Sequence, residues 1–174
     1  MIIVEASHIY FGGGYNLLVY LLESLESKSI DSNVYITHED VYDALKKKQF
    51  IRASIIRASS FNTILRYFRK RSNVLFFCNL PPFVKNTKSV VYFHNVLRLE
   101  RPSLTNFKFN RLYYFWIKWN LTNVQSVFCQ TYSVKIKLEK FHSDVQLVPF
   151  FKIPKIEKLE FRKFDFCYVA YNYP

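Results

Sequence analysis

The chain has 174 residues, half of them hydrophobic and 19% aromatic, and its formal net charge is +12. This length suits one domain with a proper core, and the composition excludes intrinsic disorder. No apolar run approaches the roughly 20 residues of a membrane-spanning helix, and no signal peptide is evident at the N-terminus. The charge favours a polyanionic neighbour, which is nucleic acid, an anionic membrane surface or a phosphorylated small molecule.

The first part of the chain alternates between short apolar runs and helical periodicity. Strands are predicted at 2–6, 33–37 and 51–56, and helices at 16–25, 40–48 and 61–68. The last of these helices is expected to bury Phe61, Ile64, Leu65 and Phe68 and to expose Arg66, Arg69 and Lys70.

The same alternation continues to about residue 149. Strands are predicted at 74–78, 89–93, 124–129 and 145–148, and helices at 105–121 and 133–141. The long helix is expected to bury Phe109, Leu112, Tyr113 and Trp116. Strands that alternate with helices predict an α/β fold, which is a Rossmann-like, doubly wound, mainly parallel sheet with helices on both faces.

The only three glycines of the chain, Gly12, Gly13 and Gly14, stand together between the first predicted strand and helix. They supply positive φ for a tight turn, or they also present free amides at a helix N-terminus to an anion such as phosphate. Ligands of parallel α/β sheets bind outside the carboxyl ends of the strands. The glycine turn and the strand end at His94 and Asn95 should therefore share one rim.

Two histidines and two hydroxyl residues are further candidates with ordinary alternatives. His94 could accept a proton from a substrate hydroxyl or hydrogen-bond to it, or it could be satisfied by backbone. His8 lies in the loop before the glycines and could reach the same cleft. Thr131 and Ser133 are interpreted as N-caps of the following helix.

Cysteine and histidine spacing indicates neither a disulfide framework nor a metal site. Cys78, Cys129 and Cys167 lie far apart in apolar stretches, and the four histidines are scattered. This usage predicts buried, reduced thiols in a cytoplasmic protein.

The segment 107–119 carries more aromatic residues than one buried stripe needs. Phe115 and Trp119 lie off the stripe, and Lys108, Arg111 and Lys118 lie nearby. Aromatic side chains flanked by cations suit an anionic lipid interface or base stacking. The alternative is that a neighbouring element covers them.

The end of the chain departs from the alternation. Residues 150–163 are charged, contain Pro154 and read as a linker, and residues 164–170 are predicted to form a new buried strand. One strand cannot form a domain, so the sequence is interpreted as the front part of a longer protein. The predicted division is a domain at 1–149, a linker at 150–163 and the truncated start of a second domain at 164–174.

The order of these pieces resembles the N-terminal half of GT-B glycosyltransferases, family 4 in particular. The matching pieces are IIVEA with the glycines, VVYFHN, VFCQTYSVKIKLEKF, VQLVPF and FDFCYVAYNYP. They cover essentially the whole chain, each motif being loose on its own. The last piece is similar to the first strand of the family's C-terminal domain.

The resemblance implies a hexosyltransferase that acts with retention and needs neither a metal nor a bound cofactor. Its substrates would be a nucleoside diphosphate sugar and a glycan or lipid-linked glycan acceptor, at the cytoplasmic face of a membrane. Gly12, Gly13 and Gly14 would lie against the donor diphosphate or the acceptor. His94 and Asn95 would line the acceptor pocket, and Thr131 would lie near the rim.

The resemblance leaves catalysis to residues that this sequence lacks. The family's E-x7-E pair and its diphosphate-binding basic residues belong to the C-terminal domain, and no such glutamate pair occurs here. This part alone is therefore expected to be inactive, and no catalytic base is assigned beyond His94 as a candidate.

Two other classes of function remain open. A basic nucleic-acid-binding module is compatible with the charge and the aromatic residues, but no fold signature of that class is visible. A stand-alone nucleotide-binding protein is the third hypothesis. Against it, Leu17 stands where the fingerprint G-x-G-x-x-G requires its last glycine.

Overall fold

The fold is that of a computed structural model, which describes residues 1–68, 73–94 and 109–149. The predictions that fall on Arg69, Lys70, Asn95 and Lys108 lie outside these residues. So do Cys167 and the predicted linker and second domain.

Within the described residues, all the predicted strands and helices are present, with ends shifted by a few residues. The strands are β1 (Ile2–Glu5), β2 (Ser32–Ile36), β3 (Ala53–Arg57), β4 (Val74–Phe76), β5 (Asn86–Phe93), β6 (Val124–Cys129) and β7 (Val145–Leu147). The helices are α1 (Gly13–Ser27), α2 (Glu39–Lys47), α3 (Ser60–Tyr67), α4 (Phe109–Asn120) and α5 (Tyr132–Leu138).

The seven strands form one parallel sheet in the order β3-β2-β1-β4-β5-β6-β7. This arrangement confirms the predicted α/β, Rossmann-like fold. After β3 the chain crosses to the other side of β1, so the strand order reverses between β1 and β4. The loops that leave neighbouring strands diverge at such a switch point and open a crevice at the carboxyl edge of the sheet.

The helices cover both faces of the sheet, as predicted. Leu22 of α1 and Leu45 of α2 belong to one buried cluster, together with Val34 of β2. Ile117 of α4 and Leu138 of α5 belong to the other, which also contains Tyr67, Phe76 and Val91. Valine and isoleucine dominate the strands because a parallel sheet is buried on both faces.

The expected orientation of α3 is wrong. Phe61, Ile64 and Phe68 are 69%, 54% and 51% exposed, whereas Arg66 and Tyr67 are buried. The helix is turned because its neighbours on the sheet are not all apolar. Glu5 of β1 is also buried and accepts hydrogen bonds from the Arg66 guanidinium.

The expected stripe of α4 is partly wrong. Leu112 is 68% exposed, and the fully buried position is Ile117, one turn and a half further on. Tyr113 and Trp116 do pack against the core as expected. The Trp116 indole donates a hydrogen bond to the Pro81 carbonyl at 2.8 Å, which fixes the helix against the loop after β4.

The N-cap prediction for Thr131 and the thiol predictions for Cys78 and Cys129 are confirmed. The N-cap prediction for Ser133 is wrong, because α5 begins at Tyr132 and Ser133 lies inside its first turn. The Thr131 hydroxyl accepts a hydrogen bond from the Val134 amide at 3.4 Å and so caps α5. Cys78 and Cys129 are buried and not in a disulfide. Burial raises the pKa of the Cys129 thiol, so this group stays protonated near neutral pH and is a poor nucleophile.

Candidate functional site

The glycine turn lies at the N-terminus of α1 and is separated from the end of β1 by residues 6–11. Helix α1 begins at Gly13, and no side chain caps its N-terminus. The first amides of a helix have no intrahelical partner. They point out of the helix end together with the positive pole of the helix dipole, which favours an anion at this position.

The local geometry requires glycine at one of the three positions and leaves little room for a side chain at another. Gly12 has φ 113° and ψ −147°, a backbone conformation that only glycine adopts readily. A Cβ atom on Gly14 would lie 3.3 Å from Ile9 Cδ1 and 3.6 Å from His94 Nε2. Gly13 differs, because a Cβ atom there would meet nothing within 4 Å. Its surroundings are open space at the mouth of the turn.

The short distance between Gly14 and His94 Nε2 shows that His94 lies beside the glycine turn, as predicted from the strand ends. The turn follows β1 and His94 follows β5, with β4 between these strands in the sheet. The loop after β4 completes the site, because Asn79 lies in it and contacts His94. Three successive carboxyl ends of the sheet therefore converge at the switch point.

Asn79 fixes both the backbone and the ring of His94. Its Oδ1 accepts a hydrogen bond from the His94 backbone amide at 2.8 Å, and its Nδ2 lies 3.3 Å from His94 Nε2. A backbone amide can only donate, so the atom facing the ring is the side-chain NH₂ group. Nε2 must then accept, and the ring proton sits on Nδ1 of a neutral imidazole. In this state His94 is suited to positioning a ligand rather than to removing a proton through Nε2.

Asn79 is a site residue that the sequence analysis did not select. It is buried and has φ 60°, a left-handed conformation that asparagine tolerates better than most residues. The signal was an asparagine directly after the apolar run VLFFC. That signal is weak, because such an asparagine is also an ordinary turn residue.

Exposed aromatic side chains flank the glycine turn. Tyr10 and Phe11 precede the turn and are exposed, Tyr10 lying 3.9 Å from the His38 ring and Phe11 5.0 Å from the Tyr15 ring, between centroids. His8 is half-buried in the same loop. The mouth of the crevice thus combines backbone donors with flat apolar surfaces.

The predicted cluster on α4 is only partly described. Trp119 is 70% exposed, Lys118 is exposed, and the rings of Phe115 and Trp119 lie 5.3 Å apart between centroids. The two rings share a side of the helix, as predicted. The Arg111 side chain lies outside the described part of the structure. A cleft of about 410 Å³ lies along this helix, lined by Phe83, Leu112, Tyr113, Phe115, Trp116, Trp119 and Asn120.

The described residues contain no group of three or more His, Cys, Asp and Glu side chains placed to hold a metal ion. No helix among them is both long enough and apolar enough to cross a membrane.

Comparisons of the chain with protein-family models, with curated proteins and with solved structures found no match.

Proposed function

We propose that the chain is the acceptor-binding half of a GT-B glycosyltransferase, which moves a sugar from a nucleoside diphosphate sugar to a glycan or lipid-linked glycan. The observation that supports this most is the approach of Gly14 to His94 Nε2 at the switch point of the sheet. The order of motifs in the sequence resembles that family. Helix amides, an imidazole and exposed aromatic rings are the groups that a phosphorylated, sugar-containing ligand requires.

In the proposed reaction, the bond between the anomeric carbon and the diphosphate breaks with both electrons leaving on the diphosphate oxygen. A new bond forms between that carbon and an acceptor hydroxyl oxygen, and the hydroxyl proton passes to the departing diphosphate oxygen. Negative charge grows on the leaving group, and helix N-termini stabilise such charge at a preorganised position. The amides of Gly13 and Gly14 have this role in the proposal.

His94 orients the acceptor in this proposal and is not its catalytic base. The Asn79 amide already occupies Nε2, which gives the ring a fixed orientation beside the glycine turn. The exposed rings of Tyr10 and Phe11 would pack against the apolar face of a sugar ring. Catalytic carboxylates would come from a second domain, as the resemblance implies.

The first experiment is to read the gene beyond Pro174 and to assay its full product. A frame that continues into a second α/β domain with an E-x7-E pair supports the proposal, as does release of nucleoside diphosphate from a panel of sugar nucleotides with a lipid extract as acceptor. A stop codon directly after Pro174 contradicts it. Tight, salt-sensitive binding of RNA or DNA would favour the nucleic-acid module instead.

In the full product, His94→Ala is expected to lower kcat/KM for the acceptor by about tenfold, which corresponds to one lost hydrogen bond of ordinary strength. His142→Ala is the matched control. His142 contacts the Val124 carbonyl at the amino end of β6, on the opposite edge of the sheet. If the parent and the His94 variant have the same kcat/KM for the acceptor, His94 does not contact the acceptor.

A peripheral membrane location is the second part of the proposal. We define the aromatic surface as Phe68, Phe83, Phe115, Trp116 and Trp119. Phe83 stacks on Phe68 at 4.4 Å and on Trp116 at 4.2 Å between ring centroids, so α3 and α4 present one continuous patch.

The central part of the sequence is strongly basic. Between Asp43 and Glu139 the sequence contains eighteen lysines and arginines and a single acidic residue, Glu100. Aromatic side chains and cations together favour the interface of an anionic bilayer. An acceptor anchored in lipid would then be delivered to the enzyme at the membrane.

Trp119→Glu is expected to weaken binding to vesicles of mixed phosphatidylglycerol and phosphatidylcholine by about tenfold, because it removes an apolar anchor and adds a repelled charge. Sedimentation with the vesicles measures this. Ile51→Glu is the control, since Ile51 is an exposed apolar residue outside the aromatic surface. If both variants weaken binding equally, or if the parent chain does not bind anionic vesicles, the membrane proposal is wrong.

A further inference from the structure

A second cleft opens at the carboxyl edge of the sheet, beside β2 and β3. Its volume is about 190 Å³, and it is lined by Tyr35, Ile56, Arg57, Ala58, Asn62, Leu65 and Arg66. It shares no lining residue with the glycine turn or with His94. Two arginines in one small cleft at a strand edge call for a ligand of opposite charge.

Arg66 is held rigidly in this cleft. Its Nε donates to Glu5 Oε2 at 2.5 Å, and its Nη2 donates to Thr63 Oγ1 at 2.9 Å and to Glu5 Oε1 at 3.4 Å. The guanidinium also lies 4.3 Å from the centroid of the Tyr35 ring. The side chain therefore has one orientation, fixed by a carboxylate, a hydroxyl and an aromatic face.

One edge of the Arg66 guanidinium remains available. An arginine has five N–H donors, and the bonds to Glu5 and Thr63 use Nε and Nη2. The two hydrogens on Nη1 make no hydrogen bond to any residue that the structure describes. Glu5 compensates the charge from the protein side, so an anion in the cleft would bind to the opposite side of a preorganised cation.

Arg57 supplies a second cation to the same cleft. It pairs with Glu39 at 3.0 Å, and both side chains are exposed. Exposed pairs contribute little, so this arginine can exchange its partner at small cost. Asn62, in the first turn of α3, adds a neutral polar residue to the lining.

We infer that this cleft is a binding site for a phosphate monoester group. A phosphate carries close to two negative charges near neutral pH and several acceptor oxygens, which match two guanidinium groups and an amide. The volume is below the range of about 300–1,000 Å³ typical of sites for whole drug-sized ligands. The cleft therefore receives the phosphate group, while the rest of the ligand extends into solvent. This inference does not depend on the proposed glycosyl transfer.

The test is titration of the full 174-residue chain with inorganic phosphate at constant ionic strength, followed by NMR of the arginine Nε–H signals. Saturable shifts of the Arg66 signal are expected. Arg57→Gln should weaken the binding by about tenfold, because a charge-assisted hydrogen bond is lost. Arg52→Gln is the matched control, since Arg52 also pairs with one acidic residue, Asp31, at an exposed position outside the cleft.

Two results would overturn the inference. One is the absence of saturable shifts with the parent chain. The other is equal weakening by Arg57→Gln and Arg52→Gln, which would show attraction to net charge alone. Arg66→Lys is a further variant, which keeps the charge opposite Glu5 but removes the second nitrogen. It should weaken phosphate binding while the chain stays folded. If it unfolds, the contrast between the other two variants decides.

Discussion

Replacing Arg66 with methionine is expected to lower the free energy of unfolding by about 3–5 kcal/mol. The side chains of Arg66 and Glu5 are only 8% and 1% exposed and are joined at 2.5 Å. Removing the cation leaves a carboxylate in the interior without its counter-charge. An unpaired buried charge costs far more than a lost surface contact, because water cannot solvate it.

The loss of stability caused by Arg66→Met should depend on the charge of Glu5, so a variant that also removes this charge serves as a control. The double variant with Glu5→Gln and Arg66→Met should recover most of the lost stability, because no charge remains unpaired. Arg52→Met is the surface control. It breaks an exposed pair with Asp31, so it should cost less than about 1 kcal/mol. Urea unfolding followed by circular dichroism measures all three, and equal losses for Arg66→Met and Arg52→Met would contradict the buried-pair interpretation.

The glycine turn gives the second large effect, as a contrast between adjacent positions. Gly12→Ala is expected to destabilise the chain by about 1–3 kcal/mol, because φ 113° with ψ −147° strains any residue with a side chain. Gly13→Ala is expected to stabilise it by up to about 1 kcal/mol, since alanine restricts the unfolded chain and has open space in the fold.

Binding should change in a different order from stability. If ligands dock on the amides of the turn, Gly13→Ala places a methyl group in the mouth of the crevice. It should therefore reduce acceptor or sugar-nucleotide binding by the full product in spite of its greater stability. Gly14→Ala directs a methyl group towards Ile9, whose side chain must shift slightly, and into ordinary contact with the His94 ring. A Gly13→Ala variant that is stabilised and binds normally would show that the turn has only a structural role.

Much of the fold could be predicted from periodicity alone. The run VLFFC, which contains β4, is apolar throughout, and such a run is typical of a strand buried on both faces. The rotation of α3 could not be predicted this way, because it depends on Glu5, a residue 61 positions away in the sequence. A hydrophobic stripe at Phe61, Ile64 and Phe68 suggested the opposite face.

The site was predictable to a similar extent. Once the strands are known, the rule for parallel sheets predicts that the glycine turn and His94 lie at the same edge of the sheet. Asn79 was not predicted, because its role depends on a left-handed backbone conformation and on a contact with His94. Neither feature can be recognised from the residue types alone. The cleft at Arg57 and Arg66 was not predicted, because the apolar stripe of α3 indicated that Arg66 is exposed to solvent.

The pairing of β1 with β4 has a consequence for how the chain folds. Only three residue pairs join these strands, Ile3 to Val74, Val4 to Leu75 and Glu5 to Phe76. On a ribosome β1 can pair with β2 early, but its second neighbour emerges some seventy residues later. Such distant pairing forms slowly, because a long loop must close first. The crevice exists only once β1 and β4 have paired, so ligand binding would report that this long-range pairing is complete.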